Sequence, residues 1–116
     1  MPKEIRQDAR FVLSDRGDEI LFLLSGEIDH HAAKGLREAI DGEIRLKQPK
    51  KVTLNFTKVG FMDSSGLGLV LGRYRTCQSI GAAMTVVSGN PTCRRIFDMA
   101  GLSRVEGLNV EQTERR

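Results

Sequence analysis

The chain of 116 residues has no tryptophan, one tyrosine and five phenylalanines, so aliphatic side chains must fill most of its core. Hydrophobic residues still make up 40% of it, enough for one domain to fold without a metal or a disulfide framework. Only two cysteines are present, Cys77 and Cys93, and they lack the spacing of a metal site. We therefore predict two reduced thiols in the core of a cytoplasmic protein.

Long apolar runs are also missing. No run approaches the roughly 18 residues of a membrane-spanning helix, and the charged start MPKEIRQDAR lacks the apolar segment of a signal peptide. Lysine and arginine exceed aspartate and glutamate by 18 to 15, for a formal net charge of +3. These basic residues are dispersed and are not interleaved with aromatics. The composition therefore predicts neither membrane nor nucleic-acid binding.

Strand and helix patterns alternate along the chain. Apolar runs on either side of a turn at residues 15–18 predict an opening hairpin. Asn90 and Pro91 are typical of a helix start, and Gly81 and Gly101 of helix ends. We predict strands at 11–13, 20–24, 51–56 and 83–88, helices after 29, over about 64–79 and after 90, and a short edge strand near 105. The order ββαβαβα indicates an α/β fold with parallel strands joined by right-handed crossovers.

The spacing of apolar residues predicts which helix faces are buried. In the second helix, placing Leu67 inward leaves Leu69 outward, beside Gly68 and Gly72. Glycines let another backbone come close and cost a helix about 1 kcal/mol each relative to alanine, so we interpret this face as a contact surface. The residues predicted to face inward are Ala33, Leu36, Ile40 and Ile44 in the first helix, Leu67, Val70, Leu71, Tyr74 and Cys77 in the second, and Ile96, Phe97 and Ala100 in the third.

The segment Asp63-Ser64-Ser65-Gly66-Leu67-Gly68 lies where a strand passes into the second helix. Ser64 occupies the expected N-cap, where its hydroxyl can accept a backbone N–H and where the helix dipole favours an anion. Simple capping serines would explain these residues without any function. A phosphorylated Ser64 would instead add about −1.5 to −2 charges to an exposed edge at little cost to the fold. The residues alone leave both interpretations open.

Catalysis and metal binding are weaker interpretations of the same segment. A nucleophilic Ser64 would need a base, and His30 and His31 are the only histidines, but the pattern G-x-S-x-G is absent. A metal at Asp29, His30 and His31 is disfavoured because consecutive helical residues point about 100° apart. We therefore predict neither an enzyme nor a metal site.

Nucleotide binding is the remaining alternative, because Gly66-x-Gly68-x-x-x-Gly72 loosely resembles a dinucleotide fingerprint. The gap between the predicted strand and the first glycine is long, and residues 64–97 contain no acid to hold a ribose. No G-x-x-x-x-G-K-[ST] pattern occurs either. We predict no cofactor.

Three stretches, GEIDHHAAKGLREAI, VTLNFTKVGFMDSSGLGLVLGRY and RRIFDMAGL, together resemble the anti-sigma-factor antagonists, which have the STAS fold. The likeness is greatest to the branch that acts on the anti-sigma F factor of sporulation in endospore-forming bacteria. It implies one STAS domain at 11–106, between an N-terminal arm at 1–10 and a polar C-terminal tail at 107–116. It also implies a four- or five-stranded mixed sheet, with three to four helices packed mainly on one face.

The resemblance implies a regulatory binding protein. Unphosphorylated members of the family bind an anti-sigma factor that is also a serine kinase, and the sigma factor is released. The kinase phosphorylates the serine that corresponds to Ser64, a phosphatase reverses this, and Asp29 matches a family position near that serine. We expect the free protein to be a monomer. Two alternative functions are a STAS-type scaffold and a stress-pathway antagonist that acts with a different partner. The predicted partner-binding residues are Asp29, His30, Asp63, Ser64, Ser65, Gly66, Gly68, Leu69 and Gly72.

Overall fold

The computed structural model describes residues 9–112, in which five strands and three helices alternate. Each predicted strand and helix is present, although several bounds differ. The strands are β1 (Ala9–Asp15), β2 (Glu19–Ile28), β3 (Lys51–Met62), β4 (Ala83–Val87) and β5 (Leu108–Glu111), and the helices are α1 (His30–Lys47), α2 (Ser65–Ile80) and α3 (Pro91–Met99), with a 3-10 helix at Leu102–Arg104.

The strands form one mixed sheet whose spatial order follows the chain, β1-β2-β3-β4-β5. The β1–β2 hairpin is antiparallel, and the other three pairs are parallel. Because successive parallel crossovers of one hand lead to neighbouring strands in one direction, their helices lie on the same face of the sheet. The core lies between that face and the helices. The fold class predicted from the sequence is confirmed.

The buried face of the sheet follows the period of two in its strands. In-register neighbours such as Phe22 with Leu54, and Leu54 with Val86, are all buried. Phe56 packs edge-to-face against Phe97 of α3, with ring centroids 5.2 Å apart. The four residues predicted to face inward in α1 are buried, whereas Ala100 is exposed and that prediction is wrong, because α3 ends at Met99.

All of the strands differ somewhat from their predicted bounds, and the differences in β3 and β5 change the sheet. Strand β3 does not end at Phe56 but continues to Met62. Its pairing with β2 has two irregularities, and at each one β3 contains one residue more than the facing segment of β2. Strand β5 begins at Leu108 and not near Val105, and it pairs with β4. It lies inside the segment predicted to be a polar tail, so part of 107–116 belongs to the sheet. The predicted N-terminal arm lies mostly outside the described residues.

Helix α2 is buried on two sides. Val70 and Cys77 are fully buried in the core, and Leu69, Arg73 and Thr76 are buried as well. Arg73 Nε donates to Asp41 Oδ1 of α1 at 2.7 Å, and Thr76 Oγ1 donates to the same oxygen at 2.9 Å. The helix therefore packs between the sheet and α1. Within residues 9–112, no helix combines the length and hydropathy that crossing a membrane requires.

Candidate functional site

Helices α1 and α2 begin side by side at one edge of the sheet. Ile28 and Met62 are register partners at the ends of the parallel strands β2 and β3, and the Asp63 N–H donates to the Ile28 carbonyl. Asp29 and Asp63 therefore occupy neighbouring positions, each at a helix start. Asp29 Oδ1 accepts the Ala32 N–H at 2.9 Å and caps α1. This arrangement brings the segments Asp29-His30-His31 and Asp63-Ser64-Ser65 together.

Ser64 precedes α2 at its N-cap position, as predicted, but its side chain makes no capping hydrogen bond. Asp63 does this instead, because its Oδ1 accepts the Ser65 N–H at 2.8 Å. The next two amides, of Gly66 and Leu67, donate to the carbonyls of Asp63 and Ser64. The first-turn N–H groups are thus occupied, and the Ser64 side chain is left exposed to solvent.

A groove of about 450 Å³ runs between α1 and α2 from their N-terminal ends. Its lining residues are His30, Ala33, Lys34, Arg37, Ser65, Gly68 and Leu69, and we call it the α1–α2 groove. The groove brings together four residues of the predicted site: His30, Ser65, Gly68 and Leu69. Lys34 and Arg37 were not predicted, although with His30 they follow the i, i+4, i+7 spacing that marks one helix face.

The predicted outward position of Leu69 is wrong. Its side chain is only 2% exposed, whereas Leu67, which was expected to face inward, is partly buried. The reason is the second buried side of α2: Leu69 lies one turn before Arg73, on the side that packs against α1. Leu69 therefore forms part of the groove wall and belongs to the core.

The glycines of α2 differ in whether a side chain would fit at their positions. Gly66 is buried, and a Cβ there would lie 2.1 Å from Met62 Sδ, so packing inside the domain requires this glycine. The structure does not support a surface role for Gly66. A Cβ at Gly68 or Gly72 would meet no atom within 4 Å, and Gly68 is exposed. Internal packing does not explain these two glycines.

Phe61 is an exposed aromatic residue that the sequence interpretation missed. Its side chain is 48% exposed and lies two residues before Asp63, at the end of β3. The alternation of the strand gives no signal for it, because β3 is irregular here and both residue 60 and Phe61 are exposed. Exposed aromatic residues are frequent anchors in protein interfaces.

Other chemistry finds less support in the geometry. Residues 9–112 contain no group of three or more histidine, cysteine or acidic side chains placed to hold a metal. Strand β3 reaches Met62, so the strand-to-helix connection is short and one argument against a nucleotide site fails. The other arguments, no acid in 64–97 and no P-loop pattern, still hold.

The two thiols are buried and unbonded to each other. Burial raises the pKa of Cys77 to about 11, with a further contribution from Asp41, and burial also raises the pKa of Cys93. Both side chains are therefore protonated at neutral pH and unsuited to nucleophilic chemistry. Burial lowers the pKa of Arg73, the Asp41 carboxylate opposes that shift, and the nearby positive charge of Arg37 adds to it.

Comparison with protein families matches residues 10–116 to the STAS domain. An anti-sigma F factor antagonist from Paenibacillus polymyxa is 40% identical over 86 residues, which is 74% of each chain. An anti-sigma-B factor antagonist from Listeria monocytogenes is 30% identical over 95 residues, covering 81% of this chain and 82% of its own.

Two solved structures that are similar to this chain belong to the same class of protein. The anti-sigma factor antagonist SpoIIAA in its unphosphorylated form is 32% identical, with a TM-score of 0.73 over 88% of both chains. The Bacillus cell fate determinant SpoIIAA in the phosphorylated form is also 32% identical, with a TM-score of 0.67 over 88% of this chain and 91% of its own.

Proposed function

The chain belongs to the STAS-domain family of anti-sigma-factor antagonists, and we propose that it is a binding switch controlled by phosphorylation of Ser64. In its unphosphorylated form it binds an anti-sigma factor that is also a serine kinase and thereby releases the sigma factor. Phosphorylation by that kinase ends the binding, and a serine phosphatase restores it. The protein acts in the cytoplasm, where its partner holds the sigma factor, and catalyses no reaction itself.

One observation carries the proposal: the Ser64 side chain is exposed at the start of α2 and takes no part in capping the helix. A kinase can reach such a hydroxyl, and its modification removes no hydrogen bond from the fold. The neighbouring Ser65 is partly buried, and its N–H is tied to Asp63. The existence of SpoIIAA in both phosphorylated and unphosphorylated forms gives independent support.

The geometry also favours a local mechanism for the switch. The first turn offers a phosphate no free N–H group, because Asp63 and the Ser64 carbonyl already accept those of residues 65–67. A phosphate on Ser64 therefore gains only the favourable helix dipole and remains at the surface. It adds about two negative charges close to Asp63 and Asp29. A partner that covered them without a cation would pay a large desolvation cost.

The site of modification can be tested directly. Incubation with the anti-sigma factor and ATP should add one phosphate by intact mass, and fragment ions should assign it to Ser64. Ser64→Ala should remain unmodified, whereas Ser103→Ala, an exposed serine of the 3-10 helix, should be modified like the wild type. Phosphate found on Ser65 alone, or full modification of Ser64→Ala, would contradict the proposal.

The mechanism predicts that Ser64→Asp keeps the circular dichroism spectrum and melting temperature of the wild type while binding the anti-sigma factor much more weakly. Amide chemical shifts of the phosphorylated protein should change mainly at residues 29–32 and 61–70. Changes throughout the sheet, or a melting temperature lower by many degrees, would show that phosphate acts by remodelling the domain.

The relatives point to two branches of partner. The likeness to an anti-sigma F factor antagonist is higher, at 40% identity, than to an anti-sigma-B factor antagonist, at 30%. We infer that the partner is of the anti-sigma F type. Mixing the protein with anti-sigma factors of both types, with ADP and with ATP, and measuring the mass of the complexes would decide between the branches. The same measurement would reveal the large assemblies expected of a scaffold.

A further inference from the structure

One wall of the α1–α2 groove is basic. His30, Lys34 and Arg37 follow one another at i, i+4 and i+7 along α1, and all three are exposed. The described residues that line the groove include no acid. Three cationic or ionisable donors thus face one cleft that begins beside the phosphorylation site.

Lys34 and Arg37 of this wall differ from Arg45 and Arg73 in their pairing. Within residues 9–112, neither Lys34 nor Arg37 forms an ion pair, whereas Arg73 and Arg45 both contact Asp41. Asp29 and Asp63 lie at the starts of the two helices, are not among the residues that line the groove, and each accept a backbone N–H group. A solvated helix face would also leave lysine and arginine unpaired, so further features of the groove must decide between the two interpretations.

The opposite wall and the position of the groove favour a protein partner. Gly68 lines this wall although nothing within 4 Å would prevent a side chain there, and glycine weakens a helix relative to alanine. The buried apolar residues Ala33 and Leu69 also line the groove. Ser65, next to Ser64, also lines the groove, so the groove is continuous with the surface that the proposed switch uses.

We propose that the α1–α2 groove receives an acidic side chain of the anti-sigma factor, held by Lys34 and Arg37. This inference rests on the proposed function and specifies the chemistry of its partner. A carboxylate matches the charge of the basic wall, and arginine can bind it with two parallel hydrogen bonds. Such contacts at the edge of an interface mainly increase the rate of association and the specificity of pairing.

The groove also explains how one phosphate could have a large effect. A phosphate on Ser64 would place about two negative charges at the end of the groove. These charges would weaken the attraction of Lys34 and Arg37 for an incoming carboxylate and would repel that carboxylate directly. Phosphorylation and loss of the basic wall should therefore have similar effects on the association rate.

Association kinetics test the inference with the anti-sigma factor that binds the wild-type chain. The double variant Lys34→Glu/Arg37→Glu should lower kon by about tenfold or more at low ionic strength, with a smaller effect at high salt. Lys50→Glu/Lys51→Glu is the matched control, because it makes the same change in net charge at two exposed lysines at the start of β3, the opposite end of that strand from Ser64. Its kon should change much less than that of Lys34→Glu/Arg37→Glu.

Carbodiimide cross-linking reports the chemistry of the contact. The reagent joins a lysine amine to a carboxylate as an amide, with loss of water, only when the two groups touch. Peptide mass spectrometry of the complex should find Lys34 linked to an aspartate or glutamate of the partner. If the partner binds but Lys34→Glu/Arg37→Glu associates like the wild type and Lys34 stays unlinked, the groove does not hold an acidic side chain. If no anti-sigma factor binds the wild type, the proposed function itself fails.

Discussion

Gly68→Ala separates a glycine needed by the fold from a glycine needed by a partner. Gly68 lies in the first turns of α2 with helical backbone, and an added Cβ would meet no atom within 4 Å. Gly66, two residues earlier, provides the contrast, because a Cβ there would lie 2.1 Å from Met62 Sδ. A methyl group at 68 therefore enters open space inside the α1–α2 groove.

The expected effect on stability follows from helix propensity. Alanine in place of glycine stabilises a helix by about 0.5–1 kcal/mol. Unfolding entropies of about 2.1 cal/mol/K per residue give roughly 0.24 kcal/mol/K for 116 residues. The melting temperature of Gly68→Ala should consequently rise by about 2–4 °C, measured by thermal unfolding with circular dichroism.

Binding should change in the opposite direction. If the partner packs against the bare backbone of Gly68, the new methyl group overfills that contact at a cost of about 1–3 kcal/mol. The Kd for the anti-sigma factor, measured by isothermal titration calorimetry, should then increase about 5- to 150-fold. A more stable domain that binds less well is an outcome that misfolding cannot produce.

Gly42→Ala is the control, since Gly42 is exposed in the middle of α1, has equally open space around it, and does not line the groove. It should raise the melting temperature similarly and leave the Kd unchanged. A Gly68→Ala protein that gains stability and binds like the wild type would show that the partner does not contact this wall. A lower melting temperature would show that position 68 is not open space.

Two further predictions concern the core. Leu69→Ala should cost about 2–5 kcal/mol of unfolding free energy in urea titrations, because its side chain is buried, and Leu67→Ala should cost less because Leu67 is only partly buried. A larger loss of unfolding free energy for Leu67→Ala than for Leu69→Ala would instead indicate that Leu69 faces outward. Because burial raises the pKa of Cys77 from 9.0 to about 11, the folded state holds its proton longer, so stability should fall by about 2–3 kcal/mol as pH rises between these values. In Cys77→Ala, the free energy of unfolding should fall less steeply with pH over this range. The same pH dependence as in the wild type would contradict the assignment to Cys77.

The fold could be predicted because local signals and the overall pattern agree. Asn90 accepts the Cys93 N–H and Pro91 is the first residue of α3, as their types indicate. Gly81 takes the left-handed conformation after α2, with φ of 75°. Alternating strands and helices then require parallel pairs with crossovers, which places both helix starts at one sheet edge. The proximity of Asp29 and Asp63 follows from that topology.

Strand β3 shows where periodicity is insufficient. Beyond Phe56, the residues Thr57 and Lys58 and the glycine at 60 interrupt the apolar alternation. The structure shows why: β3 gains a residue on β2 between Asn55 and Lys58 and again between 59 and 61. Each irregularity changes which side chains face the core, so the pattern no longer has a period of two. No signal within the strand itself indicates that pairing continues.

Helix α2 was misread because a helical wheel assumes one buried face. Its second buried side depends on Asp41, which is 32 residues from Arg73 in the chain, and no local pattern predicts that pair. The same pair bears on the switch. Arg73 is almost fully buried, and separating such a pair leaves an uncompensated charge at a cost of about 3–5 kcal/mol. The helix dipole favours a phosphate where α2 now begins, by about 0.3–1 kcal/mol at an exposed site, and so provides no driving force for breaking that pair. In the proposed switch, helix α2 should therefore stay in place when Ser64 is phosphorylated, and the partner should respond to the added charge itself.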